Sequence, residues 1–245
     1  MTKEVSVGKK KRSGGIAEVV RTFAYAILIA FVVRTVAFQP FNIPSESMVP
    51  TLLVGDYLFV SKYSYGYSRH SLLFSPPLFS GRILATEPER GDVAVFKQPL
   101  EHEDFIKRII GLPGDRIQVI GGILHINGEP VKRERIDGFD LRGQKVTQYV
   151  ETLPNDRSYR TLEQLADRGP LDDTREFVVP DGHYFVMGDN RDNSSDSRSG
   201  WTVPFENFVG RAEFLFYSTD GSAHLWEVWR WPFATRYGRL LNTVD

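Results

Sequence analysis

Hydrophobic and polar positions divide the chain into two regimes. From Ile16 to Phe38 apolar residues occupy every helical face, with an uncharged centre from Thr22 to Val33. As a helix this stretch reaches roughly 34 Å at 1.5 Å per residue, enough to cross a hydrocarbon core. Glu18 and Arg21 lie near one end and Arg34 near the other, where long side chains can snorkel to the interface. A cleavable signal peptide shares the basic start and apolar centre, but Thr35-Val36-Ala37 is a poor cleavage site. An amphipathic surface helix would carry a polar face, which this stretch lacks. The pattern predicts an uncleaved single span at 16–38. Lys9-Lys10-Lys11-Arg12 precedes it and places a tail of residues 1–15 in the cytoplasm, with the rest of the chain outside.

Gln39-Pro40 ends the helix, because proline disfavours helical geometry in the residue before it. From there the period becomes that of strands. Asp56 to Val60 and Asp92 to Phe96 are short β-rich runs bounded by Gly55 and Gly91. Tyr63 to Pro88, rich in Tyr, Ser, Pro and Gly, reads as a long excursion or extended hairpin. Ile123 to Ile126 and Glu129 to Val131 flank Asn127-Gly128, the strongest hairpin signal in the chain. Residues 132–176 are charged and polar, with a strand-like run at Lys145 to Leu153 and a short helix at Thr161 to Ala166. Phe177 to Pro180 returns to the main sheet, and His183 to Met187 is a further strand. The expected fold is mostly β: one N-terminal transmembrane helix, then a β-rich main domain (39–117 and 178–245) interrupted by a small β insert domain (118–177). Trp226, Trp229, Trp231 and Phe233 close the chain, either as a terminal strand and loop packed on the main domain or as an aromatic patch at the membrane interface.

Composition narrows the chemistry. At 245 residues the chain can bury one sizeable core with a satellite. A formal net charge of −1 gives no field for nucleic acid, and none is expected as a partner. Zero cysteines exclude disulfides, thiol catalysis and cysteine-ligated metal. Five histidines are present, none in a hydrolase signature, and the Gly-x-Ser-x-Gly elbow is absent.

A serine hydroxyl needs a base to become a nucleophile. Lysine can be that base where burial strips water from its ammonium and lowers its pKa from about 10.4. If Asp104 to Ile110 is a strand, Phe105 and Ile109 share a face with Lys107 and would shield its amine. Pro44 and Pro50 bracket Ser47 and stiffen its loop. Ser45 lies two residues away, so one hydroxyl could attack while the other donates to a developing oxyanion. Gly188 to Arg198 reads either as a turn held by Asx hydrogen bonds or as a loop in which Ser194 donates a hydrogen bond that orients the lysine amine, with an Asp196–Arg198 pair bracing it. As an EF-hand beginning at Asp189 this loop fails at its third and sixth positions, Arg191 and Ser194, so no metal and no other cofactor is expected.

These segments resemble those of bacterial type I signal peptidases, membrane-anchored Ser-Lys enzymes that remove signal peptides from exported proteins. The resemblance rests on the N-terminal span, Pro44 to Leu52, Gly55-Asp56-Tyr57, Arg90-Gly91-Asp92-Val93, Phe105 to Asp115 and Gly188 to Arg198. It implies Ser47 as nucleophile, Lys107 as general base, and the Ser47 backbone N–H with the Ser45 hydroxyl as oxyanion hole. Ser194, Asp196 and Arg198 are implied as supports, and Phe41, Ile43, Leu52 and Ile106 as lining of shallow substrate pockets. Substrates would be exported preproteins, bound extended as an added strand and cut after a small-x-small motif. The implied setting is the bacterial inner membrane, with lipid as a partner and the enzyme monomeric. Glu46 stands where many members carry glycine; pointing inward, it would raise the Lys107 pKa. Two rivals stay open on the residues: a Ser-Lys processor of one pilin or conjugation protein, and a catalytically inactive membrane-tethered peptide-binding module.

Overall fold

The computed structural model describes residues 15–72, 79–224 and 226–244. The basic cluster at 9–12 therefore lies outside the described residues, as does the middle of the 63–88 excursion. Helix α1 spans Gly15–Val36 with no residue buried, and its length and composition suit a membrane span. It ends earlier than the sequence predicts. Phe38 and Gln39 already pair with the next strand, and that ladder captures the residues a 16–38 helix would claim.

The strands are β1 (Phe38–Asn42), β2 (Asp56–Ser61), β3 (Val93–Lys97), β4 (Asp104–Gly111), β5 (Arg116–Ile120), β6 (Ile123–Ile126), β7 (Glu129–Pro130), β8 (Lys132–Leu141), β9 (Gln144–Thr152), β10 (Ser158–Glu163), β11 (Phe177–Val178), β12 (His183–Met187), β13 (Val203–Pro204) and β14 (Phe208–Ser218). Seven form the main antiparallel sheet in the order β1-β2-β14-β3-β4-β12-β13. Strand alternation buries both of its faces. Val93 and Val95 join Ile43, Met48, Leu52, Leu58 and Val60 on one side. Ala94 and Phe96 join Ile109, Val186 and Phe208 on the other.

Between β4 and β12 the chain builds a four-stranded sheet, β11-β5-β6-β7, and a three-stranded sheet, β10-β9-β8. Asn127 and Gly128 both adopt positive φ, 56° and 87°, at the β6–β7 turn, as the Asn-Gly signal requires. Three local expectations fail. Thr161 to Ala166 has helix-forming residues in Leu-Glu-Gln-Leu-Ala, yet Ser158–Glu163 is a strand, because pairing with β9 outweighs propensity. Phe177-Val178 pairs with β5 and closes the small sheet rather than returning to the main one. The polar stretch after residue 132 holds a second long strand, β8, hidden because most of its residues stay solvent-facing.

The C-terminal aromatics are not a packed strand. Trp231–Ala234 is a short helical turn, while Trp229 and Phe233 are 67% and 87% exposed. Beyond them the chain returns to the core. Arg239 donates to the buried Asp56 carboxylate, which also accepts from Ser218 Oγ at 2.6 Å and from the Leu53 amide at 2.8 Å.

Candidate active site

The loop leaving β1 carries Ser47, and β4 carries Lys107. Both are buried, at 7% and 4% exposure, and Lys107 Nζ lies 2.7 Å from Ser47 Oγ. The amine also donates to Ile106 O at 3.1 Å, and its Nζ sits 5.4 Å from the centre of the Phe105 ring. Burial lowers the Lys107 pKa to about 8, although the Asp196 and Asp189 carboxylates pull it back upward. The neutral form is therefore accessible near neutrality, as proton abstraction from a hydroxyl needs. Ser45 Oγ stands 3.3 Å from Ser47 Oγ, on the same side of the loop.

The segment after β12 buttresses this pair. The Asn190 amide donates to Ser47 O at 3.1 Å, and Asn190 Nδ2 to Glu46 O at 3.1 Å. Gly188 permits the close approach: a Cβ there would stand 2.5 Å from Ser47 O and 2.3 Å from Ser194 Oγ. Asp196 and Arg198 form the expected buried pair at 2.9 Å. Burial alone would push the Asp196 carboxyl up, but Arg198 and the hydrogen bonds it accepts hold it below the usual range. Ser194 departs from expectation. Lys107 donates to Ser47 and Ile106 instead, and the buried Ser194 hydroxyl makes no hydrogen bond of good geometry, leaning towards Asp196.

Sequence reasoning passed over the clamp that joins the three segments. Arg108, beside Lys107 but on the opposite strand face, donates from Nε and Nη2 to both Asp189 oxygens at 2.9 and 2.8 Å. Thr51 Oγ1 donates to the same carboxylate at 2.5 Å, and Arg108 Nη1 donates to Gly91 O at 2.8 Å. The nucleophile loop, the lysine strand and the 188–198 segment thus meet on one buried ion pair. Its only sequence signal is that an Arg and an Asp sit inside otherwise apolar strand ends. Arg108→Met leaves the Asp189 charge buried without its guanidinium and is expected to cost about 3–5 kcal/mol in denaturant melts. The apolar double variant Arg108→Met/Asp189→Leu should recover much of that loss; an equally unstable double variant would contradict the account.

A cleft of about 380 Å³ opens over the pair, and Phe41, Ile43, Ser45, Ser47, Ile106 and Lys107 line it. Leu52 does not. It is fully buried in the core beneath, where its loop turns back under Met48. Glu46 lines the rim but points away from the lysine, pairing with Arg142 at the tip of the β8–β9 hairpin at 2.6 Å. Its carboxylate is absent from the charges acting on Lys107, so the inward-pointing arrangement is not the one adopted.

A sequence profile described as "Signal peptidase, peptidase S26" matches residues 16–217. The chain belongs to this family. "Signal peptidase I" of Rickettsia canadensis (strain McKiel) is 45% identical over 209 residues, covering 81% of this chain and 79% of that protein. "Signal peptidase I" of Rickettsia conorii is likewise 45% identical, over 208 residues and 81% and 78% of the two chains. A solved signal peptidase I from Enterococcus faecalis V583 aligns at 25% identity and TM-score 0.33, over 51% of this chain and 97% of that one. The match over the anchor and main sheet makes this chain a serine endopeptidase of the signal peptidase type.

Proposed function

We propose that this protein removes N-terminal signal peptides from exported preproteins after small-x-small motifs, through an acyl-enzyme on Ser47. The observation that carries the reading is the 2.7 Å approach of Lys107 Nζ to Ser47 Oγ, both buried, at the floor of an open cleft. Neutral Lys107 takes the Ser47 proton as Oγ attacks the scissile carbonyl. The Ser45 hydroxyl and the Ser47 backbone N–H serve the oxyanion. Lys107 then returns the proton to the leaving amine, which departs as the new N-terminus of the mature protein. A water molecule, deprotonated by the same lysine, hydrolyses the ester and frees the signal peptide as a carboxylic acid.

Ser194, Asp196 and Arg198 are assigned the support of the lysine's surroundings. Phe41, Ile43 and Ile106 are assigned to the substrate pockets. Leu52 is assigned to the packing beneath them. Strand β4 pairs with β12 only from Arg108 onward, which leaves the Asp104–Lys107 edge available for an extended peptide. A catalytic domain over 39–117 and 178–245, with an insert over 118–177, remains the proposed division. Ile110, Phe185 and Met187 of the main sheet share a core with Ile117, Val119 and Leu124, so the two parts pack as one. The anchor is proposed to place the N-terminus in the cytoplasm and the β-domain outside the bacterial inner membrane, acting as a monomer. The exposed Trp229 and Phe233 fit contact with lipid.

The test is cleavage of a model preprotein by the detergent-solubilised enzyme. Alanine at the first and third positions before the cut should support turnover. A bulky residue at either should lower kcat/KM by about 10²-fold or more, through clash or strain in a shallow pocket. Equal cleavage of both substrates would refute the pocket assignment. Absence of cleavage of any preprotein would move the reading to a narrow-substrate processor.

A further inference from the structure

The cleft has a side that the cleavage chemistry leaves unused. Residues before the cut are assigned to the Asp104–Lys107 edge and to the pockets at Phe41, Ile43 and Ile106, so the residues after it continue beyond Ser47. Glu46 forms a wall there, and behind it lies a second cavity of about 380 Å³. The two spaces share Glu46 and no other lining residue. Val49, Leu53, Phe139 and Leu141 give the second cavity an apolar lining, and charged side chains complete it.

The tip of the β8–β9 hairpin makes this arrangement. Phe139 and Leu141 pack against the cluster of Val49, Val146 and Leu162, and Val49 stands two residues past the nucleophile. That packing sets the hairpin turn, with Arg142 and Gly143 at φ 52° and 83°, beside the nucleophile loop. Arg142 pairs with one Glu46 oxygen at 2.6 Å, and Asn193 Nδ2 donates to the other at 3.4 Å. The Glu46 carboxylate therefore bridges the hairpin and the 188–198 segment.

Arg142 has 77% of its side chain exposed, and Glu46 is its one partner among the described residues. A guanidinium carries five N–H donors, so most of these stay free for a second carboxylate. The other charges around the cavity are committed. Asp140 accepts from the Gly143 amide at 2.7 Å, Asp220 accepts from the Ser222 amide at 2.8 Å, and Arg236 donates to Val54 O at 3.0 Å. A chain leaving Ser47 meets Arg142 first, because Arg142 is held by the residue next to the nucleophile.

We propose that the Glu46–Arg142 pair and the cavity behind it form the subsite for the first residues of the mature protein, with Arg142 selecting an acidic side chain there. This rests on the proposed cleavage of preproteins. It makes Arg142 a specificity-determining residue, outside the reacting atoms: a substrate carboxylate shares its guanidinium with Glu46, and a substrate ammonium is repelled by it.

The full-length enzyme in detergent micelles is given preproteins that carry glutamate or lysine, in turn, at the first, second or third position after the cut. The quantity read is the ratio of kcat/KM for the glutamate substrate to that for the lysine substrate, in which any change of basal rate cancels. At one or more of these positions the wild type should favour glutamate by about 3- to 10-fold at low salt, the size of one exposed attraction exchanged for one repulsion. The ratio should shrink towards one in about 0.5 M salt, where exposed charges are screened. Arg142→Gln should bring it close to one, and Arg142→Glu should invert it. A wild-type ratio near one at all three positions, or a glutamate preference that survives in Arg142→Glu, overturns the subsite and leaves the cleavage reaction standing. Cleavage of none of these preproteins overturns the proposed reaction, and the subsite falls with it.

Discussion

Ser47→Ala and Lys107→Ala are each expected to reduce preprotein cleavage by about 10⁴-fold or more, and the double variant should lose no more than either single one. The two residues act as one unit. Without Ser47 Oγ no acyl-enzyme forms; without Lys107 the hydroxyl keeps its proton at any physiological pH. The geometry leaves little room for a substitute base. Lys107 Nζ lies 2.7 Å from Ser47 Oγ, the carboxylate adjacent in sequence, Glu46, is turned to Arg142, and Asp189 and Asp196 are taken up by Arg108 and Arg198. Ser45→Ala is the informative contrast. Its hydroxyl stands 3.3 Å from Ser47 Oγ and the amine's hydrogen bonds go to Ser47 and Ile106, so its removal should cost one oxyanion donor, about 10²–10³ in kcat. Substantial turnover by Lys107→Ala, with the fold intact by melting, would assign the base elsewhere.

The residues of this pair are legible in the sequence through the motifs that resemble those of signal peptidases; the prolines that flank Ser47 and the apolar residues that alternate with Lys107 along its strand would not single them out alone. The asparagine–glycine turn is legible because two adjacent residues dictate its φ values. What escaped depends on partners far apart in the chain. Arg108 and Asp189 are 81 positions apart, and nothing near either announces that they meet. Strand β10 carries a helix-forming sequence and becomes a strand only because β9 is there to pair with it. Leu52 resembles a pocket residue by its place in the motif, yet the turn after Met48 sends it into the core. The orientation of Glu46 depends on a hairpin tip contributed almost a hundred residues later.

The second large effect concerns pH. Only neutral Lys107 can accept the serine proton, so kcat/KM should fall tenfold per pH unit below about 8 and stand about 10³-fold lower at pH 5. A bound peptide displaces water from the cleft and disfavours the ammonium further, so the inflection in kcat should lie at lower pH than that in kcat/KM. The same proton carries a stability consequence of definite sign. Unfolded, this lysine titrates near 10.5; folded, it titrates near 8 because burial disfavours its charged form. Between those values the unfolded chain binds more protons, so the lysine's contribution to stability falls as pH drops through that window. Below it the penalty is constant at about 3 kcal/mol. Lys107→Met should therefore be inactive yet more stable than the parent at pH 7, with the gain shrinking as pH approaches 10.5. Denaturant melts of the two proteins at pH 7 and pH 10 test this directly. A variant less stable at pH 7, together with a wild-type rate flat from pH 8 to pH 5, would mean that Lys107 is held as an ammonium and that the serine is activated by another group.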